Sequence, residues 1–289
     1  MKVTEIVFLL LVAGEYGFSE SVNSGMFIRL DRMLLEGDNV LTGEGGFEIM
    51  RRLGGGVFGS VFEAYWKNVH RSVAIKVENQ RRFQEYVEND ENIVDFTYLT
   101  YEYRIMKEMN NTRGFPLVYS GFLEGNFKSY AMELVGDNLH SVLRKAGGKL
   151  SKRAVKVIGA QLLTRLESLH LRGFLMNDLH LGNLLLGNNG IVYLTDFAWV
   201  IRFRVKGRHI TPKLTSLPPR FSRSRRDELL VSLKLLAELT SGRNIEEEVS
   251  ISKICHGETA WLEPAFAYLS SLDFDQDPNY NLLGRLIVA

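Results

Sequence analysis

The stretch Met176-Asn177-Asp178-Leu179-His180-Leu181-Gly182-Asn183, followed by Thr195-Asp196-Phe197-Ala198, decides how this chain is read. It sets an aspartate, an asparagine five positions on and a second aspartate in polar segments. Between them lie two short apolar pieces, Leu184 to Leu186 and Ile191 to Leu194, which the turn Gly187-Asn188-Asn189-Gly190 joins as a small hairpin. Asp178, Asn183 and Asp196 carry hard oxygen atoms of the kind magnesium takes as ligands. Taken alone, the stretch reads equally well as a solvated polar loop, so its order relative to other motifs matters.

Upstream, Gly54-Gly55-Gly56-Val57-Phe58-Gly59-Ser60-Val61 fits a glycine-rich nucleotide loop, in which backbone amides approach phosphates with no Cβ in the way. A plain hairpin turn is the competing reading. A dinucleotide-binding loop fits less well, because the residues after Gly59 continue as a strand instead of opening a helix. Seventeen positions beyond Gly59 comes the lysine of Val73-Ala74-Ile75-Lys76, in an otherwise apolar strand. If buried, its ammonium group needs a counter-ion. Glu102, in the helical stretch Leu99-Thr100-Tyr101-Glu102-Tyr103, is suited to that role, with Glu108 and Glu91 as competitors. The ordinary alternatives are a lysine reaching solvent and a solvated helix-face carboxylate.

Around these motifs the periodicity changes along the chain. After an irregular polar stretch from Glu36 to Gly46, an extended pattern starts at Phe47-Glu48-Ile49-Met50 and continues to Val77. A helix is predicted between Phe96 and Met109, with Leu99, Tyr103, Met106 and Met109 near one face, and Gly114-Phe115-Pro116 follows as a break. Strands return at Leu117 to Phe122 and Ser129 to Leu134. The second half is helical, over Leu139 to Ala146, Ser151 to Leu171 with Ser151 as N-cap, and Arg225 to Leu239 before Gly242. A β-rich half with one helix and a helical half carrying polar loops predict an α+β fold with a cleft between lobes.

At these residues the chain resembles the eukaryotic protein kinase superfamily from about Phe47 onward, and it is similar in detail to the casein kinase 1 group, which takes in vaccinia-related and tau-tubulin kinases. Ser224-Arg225-Arg226-Asp227-Glu228-Leu229 is similar to that group's Ser-Arg-Arg-Asp-Asp-Leu, and Met132-Glu133-Leu134-Val135-Gly136 to its hinge Met-Glu-Leu-Leu-Gly. The resemblance implies a bilobal kinase fold: an N-terminal extension over 1–46, a small β-rich N-lobe with one main helix over 47–135, and a larger, mainly helical C-lobe over 136–289. It implies ATP and Mg as cofactors. Lys76, paired with Glu102, would orient the phosphates, Asp178 would accept the substrate hydroxyl proton, and Asn183 and Asp196 would hold metal. Gly54, Gly55, Gly56, Val57, Phe58, Gly59, Val61, Ala74, Met132, Glu133, Leu134 and Val135 would surround the nucleotide. Asp227 would brace the catalytic loop; without the family it is an acid in a helix's first turn, a favourable dipole position, and Met132 is a core methionine.

Four departures bear on activity. Met176 and Asn177 stand where the family has His-Arg, His180 replaces a lysine, Ala198 replaces the glycine of Asp-Phe-Gly, and Leu217-Pro218-Pro219-Arg220 matches the group's substrate-binding loop poorly. The arginine would dock a phosphorylated activation loop. The lysine supplies a fixed charge near the transferred group, and such stabilisation is worth about 3 kcal/mol, or roughly 100-fold in rate. His180 carries a charge only when protonated.

The leading expectation is therefore a serine/threonine protein kinase. A pseudokinase, using the fold as a nucleotide-binding or scaffolding module, is the alternative, and a small-molecule phosphotransferase a third. The basic run Arg202, Arg204, Lys206, Arg208 and His209 suits an acidic or prephosphorylated protein substrate, or is a solvated loop. Thirty-five basic against thirty-four acidic residues give a net charge of +1, so nucleic acid is not an expected partner. A monomer is expected, with no membrane span. The single cysteine, Cys255, excludes an intramolecular disulfide, and His256 beside it lacks the further ligands of a zinc site. A cytoplasmic or nuclear setting follows. The apolar run Ile6 to Ala13, behind Lys2, also has the outline of a secretory signal over residues 1–19, which would place the chain in the secretory pathway instead.

Overall fold

The computed structural model describes residues 39–42, 45–55, 59–79, 98–124, 127–211, 222–245, 247–248 and 250–289. The signal-peptide reading, Gly56, Val57, Phe58, Glu91 and Leu217 to Arg220 lie outside these residues. The chain divides into two compact units, one comprising Met1–Arg104 and Val118–Leu134, the other Ile105–Leu117 and Val135–Ala289.

The first unit holds a six-stranded antiparallel sheet in the order β1-β2-β3-β4-β6-β5. Its strands are β1 (Asn39–Thr42), β2 (Gly45–Gly55), β3 (Ser60–Trp66), β4 (Arg71–Asn79), β5 (Val118–Glu124) and β6 (Phe127–Glu133). The stretch expected to be irregular before Phe47 thus contains β1 and the start of β2: Val40 pairs with Phe47 and Asn39 with Glu48, a pairing across strands that local composition does not reveal. Alternating residues Phe62 and Ala64 of β3 and Val73, Ile75 and Val77 of β4 join Phe47, Ile49 and Ala131 in one buried cluster. The even-numbered residues Ala74, Lys76 and Glu78 project from the other face of β4 and are buried too. Gly59 is needed where β3 begins, since a Cβ there would lie 2.4 Å from the Val77 carbonyl oxygen.

Helix α1 (Tyr98–Met109) opens in the first unit, and the division between units falls within it, after Arg104. Tyr103 packs on Tyr130 of β6 with ring centroids 5.8 Å apart. Its ring also lies where a Cβ on Gly121 would be, 3.0 Å away.

The second unit is helical. Helices α2 (Leu139–Lys145), α3 (Lys152–Leu171) and α4 (Arg225–Ser241) match the predicted spans closely. The Ser151 hydroxyl accepts the Ala154 N–H at 3.3 Å as an N-cap, and Gly242 closes α4 in the left-handed conformation at φ +71°. The paired strands β7 (Phe174–Leu175) and β10 (Ile201–Arg202), the hairpin β8 (Leu184–Leu186) with β9 (Val192–Leu194), and the hairpin β11 (Arg204–Val205) with β12 (Arg208–His209) support the loops. Helices α5 (Ile251–Ile254), α6 (Glu263–Ser270) and α7 (Tyr280–Val288) complete it. Among the described residues no helix is long and apolar enough to cross a membrane.

Candidate active site

In the first unit, Lys76 sits on the second buried face of β4, and its Nζ lies 2.9 Å from Glu102 Oε1 and 2.6 Å from Oε2. Lys76 is 9% and Glu102 1% exposed, so each charge has its counter-charge where water is scarce. Helical phase puts Glu102 here: Leu99 and Met106, three positions before and four after, are buried on the same face. Glu108, the described competitor, is exposed. Ala74 pairs across the sheet with Met132, and Val73 with Glu133. Met132 is buried, while Glu133, Leu134 and Val135 are partly so. Gly54 pairs with Val61 and Gly55 with Ser60 at the adjoining ends of β2 and β3.

In the second unit, the polar loop after β7 is held by hydrogen bonds to its backbone. Asn183 Nδ2 donates to the Asp178 carbonyl at 3.0 Å, and the Asn183 carbonyl accepts the Thr195 N–H at 3.0 Å, one residue before Asp196. Asp178 and Asn183 are buried and Asp196 partly so. Asn177 and Asp196 have φ of +59° and +64°, a left-handed conformation that asparagine and aspartate tolerate better than most residues and that recurs at functional loops. Phe197 is fully buried, 5.9 Å from Phe115 between ring centroids.

These donors suit magnesium. Asn183 uses its amide nitrogen on Asp178, leaving its carbonyl oxygen, which together with the Asp196 carboxylate offers hard ligands. Among the described residues no group of three or more His, Cys, Asp or Glu side chains could hold a metal ion. Two oxygen donors, from Asn183 and Asp196, suit a cation whose coordination is completed by phosphate and water. A surface cavity of 610 Å³ beside Lys156 and Val288 contains none of the expected site residues.

The brace expected of Asp227 belongs to its neighbour. Asp227 bonds Arg226 at the surface end of α4, whereas Glu228 is fully buried and its Oε1 accepts the Asn177 N–H at 2.8 Å. Glu228 Oε2 lies 2.7 Å from His170 Nε2, and His170 Nδ1 lies 2.6 Å from the Tyr280 hydroxyl. Burial pushes the Tyr280 phenol up, so it stays protonated. One carboxylate thus ties α3, α4 and α7 to the residue before Asp178. The physical reason is helical phase: Glu228 shares a face with Ser232, Leu235 and Leu236, while Asp227 shares one with Lys234 and Glu238.

His180 Nδ1 accepts the Gly182 N–H at 3.1 Å, and its Nε2 lies 3.8 Å from Asp178 Oδ2. The residue in the expected lysine position therefore faces the Asp178 carboxylate. Of the basic run, Arg204 pairs with Asp277 at 2.8 Å, Arg202 stacks 4.4 Å from the Phe174 ring centroid, and Lys206 and Arg208 are exposed on the β11–β12 hairpin. Cys255 is buried, which pushes its thiol up to about 11 and keeps it protonated near neutral pH.

The protein kinase domain family matches residues 47–216, more than half of the chain. Casein kinase I homolog 1 of Schizosaccharomyces pombe is 27% identical over 278 residues, covering 83% of this chain and 60% of that protein. Casein kinase I homolog 2 of the same yeast is 25% identical, covering 83% and 61%. The chain spans about three fifths of the length of the curated relatives it matches. With a sheet unit bearing the buried lysine–glutamate pair and a helical unit bearing the Asp-Asn-Asp loops, the chain belongs to the protein kinase domain family.

Proposed function

We propose that this chain is a serine/threonine protein kinase of the casein kinase 1 kind, transferring the γ-phosphoryl group of ATP to a protein hydroxyl. The observation that carries the reading is the Lys76–Glu102 pair. A lysine placed on a buried strand face and fixed by a buried carboxylate is costly to desolvate, and it suits a cation held ready for phosphate oxygens. Magnesium, when bound, neutralises charge on the phosphates. Asn183 and Asp196 would hold it through oxygen atoms. Asp178 would orient the substrate hydroxyl and accept its proton. Gly54, Gly55, Gly59, Val61, Ala74 and Met132, with the backbone of Glu133, Leu134 and Val135, would receive the nucleotide.

Exposed Lys206 and Arg208 favour an acidic or prephosphorylated protein substrate. A single cysteine is in keeping with a cytoplasmic or nuclear setting.

The test is incubation with labelled ATP, Mg and casein, beside Asp178→Asn. Label transfer that is lost in the variant supports the kinase. ATP binding without transfer in the unaltered protein contradicts it and favours a nucleotide-binding scaffold.

A further inference from the structure

Asn177 makes contacts that the proposed chemistry does not use. Its Oδ1 accepts the Ser222 N–H at 3.0 Å, across 45 positions of sequence, and its own N–H donates to Glu228. Asn177 is 4% and Ser222 1% exposed, so this bond is made away from water, where an unmet amide is expensive. One residue fixes the backbone beside Asp178 and also takes hold of the far end of the segment that starts at Asp196.

We propose that Asn177 is a positioning residue that fastens the end of this segment to the catalytic loop by a permanent hydrogen bond, independent of phosphorylation. Side-chain chemistry supports the assignment. An arginine at position 177 would have five donors and no acceptor, so it could not receive the Ser222 N–H and would need an anion to act on. Asparagine supplies the acceptor and also tolerates the left-handed backbone found there. Other fastenings of the segment use ordinary side chains as well. Arg204 and Arg225 both pair with Asp277, and the Thr211 hydroxyl donates to the Arg223 carbonyl at 2.5 Å. What the bond does for substrate rests on the kinase reading; the bond itself does not.

Amide hydrogen exchange of the Ser222 N–H, followed by NMR in phosphatase-treated full-length protein, tests the proposal. The amide is expected to be protected in this unphosphorylated state. Asn177→Gly adopts the same backbone freely but lacks the acceptor; it should release the amide and raise KM for casein by roughly fivefold, the size of one hydrogen bond, with a smaller change for ATP. Asn177→Asp keeps an acceptor oxygen and should return both quantities toward their original values. A Ser222 amide that exchanges freely in the unaltered protein, or is protected only after phosphorylation, overturns the proposal whether or not the glycine variant folds. A protected amide in a protein that transfers no phosphate supports the fastening and overturns the kinase reading instead.

Discussion

Lys76 and Asp178 are held in two different ways. Lys76 is placed by a charge–charge contact, a buried ion pair with Glu102. Asp178 is placed through its chain neighbours: the Asn177 N–H on Glu228, the Asn177 side chain on Ser222, and Asn183 on the Asp178 carbonyl. An ion pair fixes a charge and is costly to break from one side, because the remaining charge stays buried. A network of backbone hydrogen bonds spreads the load, so each member matters less while the loop's shape depends on all.

Lys76→Met should produce the largest effect. It removes the cation beside a carboxylate that is 1% exposed, and urea unfolding should show a loss of about 3–5 kcal/mol. Adding Glu102→Leu should recover much of that stability while phosphate transfer stays absent, separating the pair's structural role from its chemical one. Unchanged stability in the single variant would show that the buried pair does not hold Lys76 in place.

Glu228→Gln should have a smaller effect. Glutamine can keep one acceptor but turns an N–H toward either the Asn177 amide or His170, and unfolding should report a loss of about 1–3 kcal/mol together with slower turnover. Asp227→Asn sharpens the contrast: at a partly exposed helix start, it should cost about 0.5 kcal/mol. If the two substitutions behave alike, Glu228 is no brace.

Acid should loosen the β11–β12 hairpin slightly. Burial holds the His209 ring below its ordinary pKa, partly offset by Asp275. Its folded pKa is thus depressed, so the stability gained by keeping it neutral is complete above the unfolded value near 6.5 and is lost as pH falls toward the folded value. Urea midpoints measured from pH 7.5 to 5.5 should fall, with a shallower slope in His209→Gln. Equal slopes would exclude His209 as the cause.

Much of this was legible in the sequence where chemistry is carried by residue type. Lys76 in an apolar strand announces a need for a counter-ion, and the phase set by Leu99 and Met106 favours Glu102. The hairpin between Asn183 and Asp196 follows from its turn residues and flanking apolar triplets. Less legible were features decided by pairing across distance. β1 is set by its register with β2, Val40 opposite Phe47, and Asn177 bonds Ser222 across 45 positions of sequence. The Asp227–Glu228 choice lies between these cases. The resemblance points to Asp227, whereas the helical phase it shares with Lys234 and Glu238 turns it outward.

If Asn183 and Asp196 hold a metal that arrives with ATP, calorimetric titration of ATP with and without Mg will report it. The unaltered protein should bind ATP at least about tenfold more tightly with Mg, and Asp196→Ala should lose that gain while keeping the Mg-free affinity. Equal affinity with and without Mg in the unaltered protein, or a full gain in the variant, would show that these two residues do not hold the metal.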